Sequence, residues 1–306
     1  MFAMKRLLVI IEPEQDTQPA LDKALKLARQ SGAELELLIC DHTSYLEDGY
    51  YFDPLHASKL REEHVAGNLK LLEEMAEVIR QQGFTVSVDA RWGKPPYERV
   101  IDKVLESKPD LLVQSTRHHE RISRMLLSHQ DWQLLRFCPC PVLLVKDKPW
   151  AENPVVLVSV DPTHANDKPA SLDFRLVDIG VSVANLFKGE VHLFHSAWQV
   201  PVSGIYPVIV DEDVYKEKTA DLLAHFELSD RQLHITDKEI QEALPATAEA
   251  LKAGIVVMGA ISRSRIDRFL VGNTAEKLLD RLEEDVLVVK PEGFTDTVKK
   301  ARKSNP

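Results

Sequence analysis

The stretch with the most chemical content runs from Met258 to Thr274, Met-Gly-Ala-Ile-Ser-Arg-Ser-Arg-Ile-Asp-Arg-Phe-Leu-Val-Gly-Asn-Thr. Gly259 closes an apolar run, and a glycine at a strand end lets backbone approach a ligand without a Cβ clash. Gly272-Asn273-Thr274 then opens a helix-period segment over residues 275–282. A helix start offers unpaired N–H groups and a positive dipole end, and Thr274 adds a hydroxyl. Ser262, Arg263, Arg265 and Arg268 supply a further hydroxyl and positive charge. These are the parts of a phosphate site. They are equally the parts of an ordinary strand-to-helix loop in which Asn273 or Thr274 caps the helix.

Other candidate groups carry less. Arg117, His118, His119, Arg121 and Arg124, with His129 and Asp131 close behind, make a basic loop. It reads first as a solvated loop, then as an anion site, and last as a metal site, because adjacent histidines point different ways. Cys138-Pro-Cys140-Pro lacks the second Cys/His pair of a zinc site and runs directly into an apolar stretch. Small residues packed ahead of a buried strand explain it better. His192 and His195, three apart on a strand, face opposite sides of it. His195 and His42 read as strand-end histidines. No P-loop, nucleophile elbow, His-Glu-x-x-His or triad is present.

The elements that position the first loop occur twice. Leu7-Leu-Val-Ile-Ile-Glu-Pro13 is matched by Val156-Leu-Val-Ser-Val-Asp-Pro162. Likewise Asp110–Ser115 is matched by Gly254–Gly259, and Val142–Val145 by Val286–Val289. The order is kept while the offset drifts, as duplication followed by loop changes produces. The expected strands of the first half are residues 5–11, 34–40, 85–90, 110–115 and 142–146. Those of the second are residues 155–160, 190–195, 232–236, 254–259 and 285–290. Helical stripes lie between them, among them Leu21, Ala24, Leu25 and Ala28; Val65, Leu69, Leu72, Ala76 and Ile79; and Leu172, Leu176, Ile179, Val183 and Leu186. Strands apolar almost throughout suit parallel pairing under helices on both faces. The expectation is two doubly wound α/β domains, residues 1–147 and 154–292, a linker at 147–153 and a polar tail at 293–306. In such folds ligands bind beyond the carboxyl ends of the strands at the switch point. That places Asp161 beside the loop after Gly259, and Glu12 beside the loop after Ser115.

Composition narrows the classes. The 306 residues carry 38 basic and 48 acidic side chains, a net charge of −10, which argues against general nucleic-acid binding. No apolar run approaches a membrane span, no signal peptide is evident, and three cysteines form no disulfide framework. The expected location is the cytoplasm. Tyr45, Tyr50, Tyr51, Phe52, Trp198, Ile205 and Tyr206 in the loops after the second strands read as an interface between the halves or as an apolar ligand pocket.

The loop after Gly259 resembles the nucleotide-binding signature of universal stress proteins, which is Gly, two residues, Gly, nine residues, then Gly followed by Ser, Thr or Asn. Gly259 fits the first position, Ser262 replaces the middle glycine, residues 263–271 supply the nine, and Gly272-Asn273 fits the end. Asp161 matches the family's acid at the end of the first strand. Leu251–Gly259, Val271–Glu276 and Val145–Trp150 are similar to the tandem, UspE-type branch. The first half departs from the signature. Its loop, Ser115-Thr-Arg-His-His119 and then Ser128-His129, has no signature glycine, and its strand-end acid is Glu12. The resemblance implies five-stranded parallel sheets of order 3-2-1-4-5 and halves that pair as an intramolecular pseudo-dimer; a further homodimer stays open. It also implies ATP, with magnesium if the triphosphate binds, in the second half only. The implied site is Asp161, Gly259, Ser262, Arg263, Gly272, Asn273 and Thr274. Three readings compete: a non-enzymatic stress-response protein that binds a small ligand, an interaction or apolar-ligand protein with a degenerate site, and a slow ATPase.

Overall fold

The computed structural model describes residues 2–46, 54–116, 127–162, 170–198, 212–260 and 278–294. The chain divides into two compact units, one made of residues 4–115 and 129–145, the other chiefly of residues from 146 onward.

In the first unit the elements are β1 (Arg6–Ile10), α1 (Pro19–Ser31), β2 (Glu34–Asp41), α2 (Pro54–Arg80), β3 (Val86–Trp92), α3 (Pro96–Ser107), β4 (Leu111–Ser115), α4 (His129–Phe137) and β5 (Val142–Val145). All strand pairs are parallel, and the order is β3-β2-β1-β4-β5. β1 and β5 are buried along nearly their whole length, which explains their unbroken apolar runs. The α2 stripe turns Leu72, Ala76 and Ile79 into the core. Lys103 of α3 reaches across to Glu36 of β2 at 2.6 Å and Asp89 of β3 at 2.9 Å. Burial alone would raise the Asp89 carboxyl, yet the Lys103 and Arg91 bonds outweigh it and hold the pKa below the usual value.

The second unit repeats the plan: β6 (Val155–Ser159), α5 (Ala170–Leu186), β7 (Val191–Ser196), α6 (Glu212–His225), β8 (Leu233–Thr236), α7 (Ile240–Ala250), β9 (Ala253–Gly259) and β10 (Asp285–Val289). Its strands are again parallel, in the order β10-β9-β6-β7-β8. Both sheets therefore carry the 3-2-1-4-5 order, and the switch point lies between β1 and β4 in one unit and between β6 and β9 in the other. α5 lies close on β6 because Gly180 has no side chain; a Cβ there would stand 2.6 Å from Val158 Cγ2.

Two residues at the boundaries are held by the second unit. The segment expected as a linker, residues 147–153, holds Trp150, which is buried and donates its indole N–H to Asp285 at 2.7 Å. Pro149 and Pro154 mark chain direction, but the indole needs both cover and an acceptor, and it finds them on the second unit. The first residues of the expected 293–306 tail are described. Gly293 turns the chain at φ +78°, and Phe294 is buried under the Lys290 ammonium, 4.9 Å from the ring centre.

Candidate functional site

The geometry of the second unit places Asp161 and Gly259 at the same end of neighbouring strands. β6 pairs with β9 through Val158 and Val257, and Gly259 pairs with Val289 of β10. Beyond the ladder, Val160 N–H donates to Phe194 O and Ala260 N–H to Val289 O, both at 2.9 Å, so each chain leaves its strand in a fixed direction. Asp161 is half-buried. Its backbone N–H donates to both carboxylate oxygens of Asp173, at 3.2 and 3.3 Å. Asp173 stands in the first turn of α5 and is buried, where the helix N-terminal dipole favours a carboxylate. Sequence reasoning missed this residue. A first-turn aspartate is ordinarily a solvated charge complementing the dipole, and only the packing of α5 on β6 aims it at Asp161.

Of the other expected site residues, Ser262, Arg263, Gly272, Asn273 and Thr274 lie outside the described residues, as do Arg265 and Arg268. The basic loop Arg117–Arg124 and most of the aromatic loop residues also lie outside them. Gly259 has a second reason to be glycine. A Cβ there would stand 3.1 Å from Leu172 Cδ2 and 3.5 Å from Leu176 Cδ1, so helix packing as well as ligand approach favours the absence of a side chain.

The corresponding place in the first unit is furnished differently. Gln18 ties the chain after β1 in a two-way clasp: Glu12 N–H donates to Gln18 Oε1 at 3.2 Å, and Gln18 Nε2 donates to Glu12 O at 2.7 Å. Ser115, at the position of Gly259, accepts a hydrogen bond on Oγ from Ala20 N–H at 3.0 Å. That N–H belongs to the first turn of α1, the group an anion at a helix N-terminus would use. The first unit thus spends this donor on its own side chain.

The remaining candidates settle into packing roles. His195 is buried, its Nδ1 lies 3.1 Å from Val160 O, and its ring lies against Tyr215, tilted by 35°, with centroids 4.9 Å apart. His42 lies against Trp92, centroids 5.4 Å apart. Cys138 and Cys140 are buried, with their sulfurs 3.5 Å apart, and the Cys138 contact together with burial pushes the Cys140 thiol up. Burial also pushes Cys40 up to about 12, so its thiolate is scarce at neutral pH. Among the described residues no group of three or more metal-ligating side chains converges, and no helix is long and apolar enough to cross a membrane.

Two doubly wound parallel α/β units, the second with an acid and a glycine at neighbouring strand ends of its switch point, define the class of fold, and comparison with known proteins resolves it. The universal stress protein family model matches residues 4–146 and again residues 155–290. The chain belongs to the universal stress protein family, as a tandem member. It is 30% identical to Universal stress protein E of Escherichia coli K12 over 304 residues, 96% of each chain. It is 29% identical to the protein of the same name from Photorhabdus laumondii, covering 97% of this chain and 98% of the relative. A universal stress protein structure from Pseudomonas aeruginosa UCBPP-PA14 superposes with a TM-score of 0.77 at 28% identity, covering 98% of both chains.

The Asp173 clasp gives a first test. Asp173→Ala removes a buried acceptor and frees the Asp161 backbone. The expected result is a loss of about 2–4 kcal/mol of stability in denaturant unfolding. Unchanged stability would show that the clasp does not hold the strand end.

Proposed function

We propose that this is a cytoplasmic stress-response protein that binds a nucleotide, ATP with magnesium, in its second half and not in its first. Asp161 sits near the base or ribose. Gly259, Ser262, Gly272, Asn273 and Thr274 surround the phosphates, and Arg263 adds charge. The observation that carries the reading is the asymmetry of the two switch points. Ser115 Oγ takes a first-turn N–H of α1 in the first unit, whereas the second unit has Gly259 at that position. The chain after Glu12 is tied by the Gln18 side chain, and the chain at Asp161 by the Asp173 carboxylate. Ser262 in place of the middle glycine narrows the pocket or offers a hydroxyl to an anion.

In this reading the protein binds without turnover. A second reading, an interaction or apolar-ligand protein, is favoured by one feature. Phe174, 37% exposed, packs edge-on against His225 and beside Phe226, while Trp198 is 40% exposed. The experiment that separates the readings is chromatography of the acid extract of purified protein, together with phosphate release under magnesium. Bound nucleotide with no released phosphate is expected. An extract free of nucleotide favours the interaction reading. Turnover that disappears in Asp161→Ala would make the protein an ATPase.

A further inference from the structure

β8 is the outer strand of the second unit and, among the described residues, pairs with β7 alone. Ala197 N–H donates to Thr236 O at 2.8 Å, so Thr236 and, two residues earlier, His234 turn their backbone groups toward β7. By the alternation of the ladder, Leu233 and Ile235 turn theirs outward. Such a row of N–H and C=O groups is a template for another strand. The first unit guards its corresponding edge. Leu35 N–H donates to Thr85 O, which leaves Val86 O facing outward, and the Arg80 guanidinium of α2 covers that oxygen with bonds of 2.9 and 3.1 Å. β3 also carries the charges of Asp89 and Arg91. β8, Leu-His-Ile-Thr, has no charged residue. An open cleft of about 320 Å³ borders all four of its residues, with Lys216 of α6 and Thr247 of α7 on its flanks.

We propose that β8 is the docking edge for a second copy of this chain, paired antiparallel so that His234 of each copy faces the other across a two-fold axis. The strand is self-complementary in that register. Leu233 of each copy stands opposite Ile235 of the other, and each such pair exchanges both of its outward N–H···O bonds. On one face of the joined strands Leu233 and Ile235 meet apolar counterparts, and on the other His234 meets His234. Burial, and then the His192 ring whose Nδ1 is 2.9 Å from His234 Nε2, lower the His234 pKa, so the facing imidazoles are neutral at pH 7. The flanks reverse sign about the same centre. Asp230 and Arg231 precede His234 by four and three residues, and Asp237 and Lys238 follow it by three and four. All four are exposed. Two-fold pairing brings Asp230 toward Lys238 of the copy, and Arg231 toward Asp237 of the copy, each opposite in charge. A short strand buries little area, so the dimer is weak and concentration-dependent.

The test is sedimentation equilibrium of the full chain over a range of concentrations, with oxidative cross-linking of His234→Cys. A dimer of twice the 34.6 kDa chain mass is expected at the upper end of the range. Ile235→Pro removes an outward N–H without removing a bond to β7, and is expected to abolish the dimer. Lys238→Glu sets like charges opposite one another at an exposed position and is expected to weaken the dimer about tenfold, while adding Asp230→Lys restores it. His234→Cys is expected to form a disulfide-linked dimer, because facing residues of a non-hydrogen-bonded antiparallel pair lie within disulfide reach. Lys59→Cys on α2 forms none, and the three native cysteines are buried. A monomer at every concentration, or a dimer that neither Ile235→Pro nor Lys238→Glu weakens, would overturn the proposal.

Discussion

Replacing Asp285 with alanine is expected to cost about 3–5 kcal/mol of stability, among the largest single-residue effects in this chain. Asp285 begins β10 and is only 1% exposed. Its Oδ1 accepts the backbone N–H of Lys146 at 2.7 Å, and its Oδ2 accepts the indole N–H of Trp150 at 2.7 Å. One carboxylate therefore fixes the segment that enters the second unit. Truncation strands two buried donors, each with its own desolvation penalty. It also removes a negative charge that favours the buried Lys146 ammonium. Denaturant unfolding of Asp285→Ala checks the value. Asp285→Asn should recover part of the loss, because an amide oxygen still accepts one of the two bonds. A cost below about 1 kcal/mol would show that the segment is held by apolar packing of Trp150 instead.

The second large effect has the opposite sign. Lys146 is 2% exposed, and its Nζ is buried with no hydrogen-bond acceptor among the described residues. Burial drives its pKa down to about 8 from 10.5, against the raising influence of Glu284, Asp285, Glu283 and Asp280. Below pH 8 the folded chain carries a buried cation whose desolvation those carboxylates only partly offset. Between about pH 8 and 10.5 the folded amine has released its proton while the unfolded amine still holds one, so this group makes stability rise with pH. Lys146→Met is expected to gain up to roughly 3 kcal/mol at pH 7 and to lose that advantage across the same window. The buried thiols act the other way. Cys40 titrates at about 12 folded against 9.0 free, so stability falls as pH rises through that range. Both proteins share this loss, and the difference between wild type and Lys146→Met isolates the lysine. A constant difference from pH 7 to 10.5 would rule out a neutralising amine.

Much of the architecture was legible in the residues, because apolar runs bounded by turn residues have few other uses. The expected strand at 155–160 is Val155–Ser159, and that at 110–115 is Leu111–Ser115. Duplication made each assignment twice testable, and the switch point followed from the parallel order. The polar devices were not legible. Asp173, Asp285 and Gln18 look in sequence like surface groups, and each becomes a structural acceptor or clasp through the residue that packing sets beside it. His192 was visible as a strand histidine, but its partner depends on the register that sets Phe194 against His234. Gly259 had one apparent reason to lack a side chain, and Leu172 supplies another. For the site itself, sequence gives more of the composition than the fold does, since the loop carrying Ser262 to Thr274 is known here only by its residues.

The most direct measurement is calorimetric titration of ATP with magnesium into wild type and Gly272→Trp. The account predicts saturable binding near one nucleotide per chain in wild type, and none in the variant, whose indole would replace a glycine that the proposed site assigns to phosphate contact. Binding that survives Gly272→Trp, or that saturates near two per chain, would contradict the assignment of a single site to the second half.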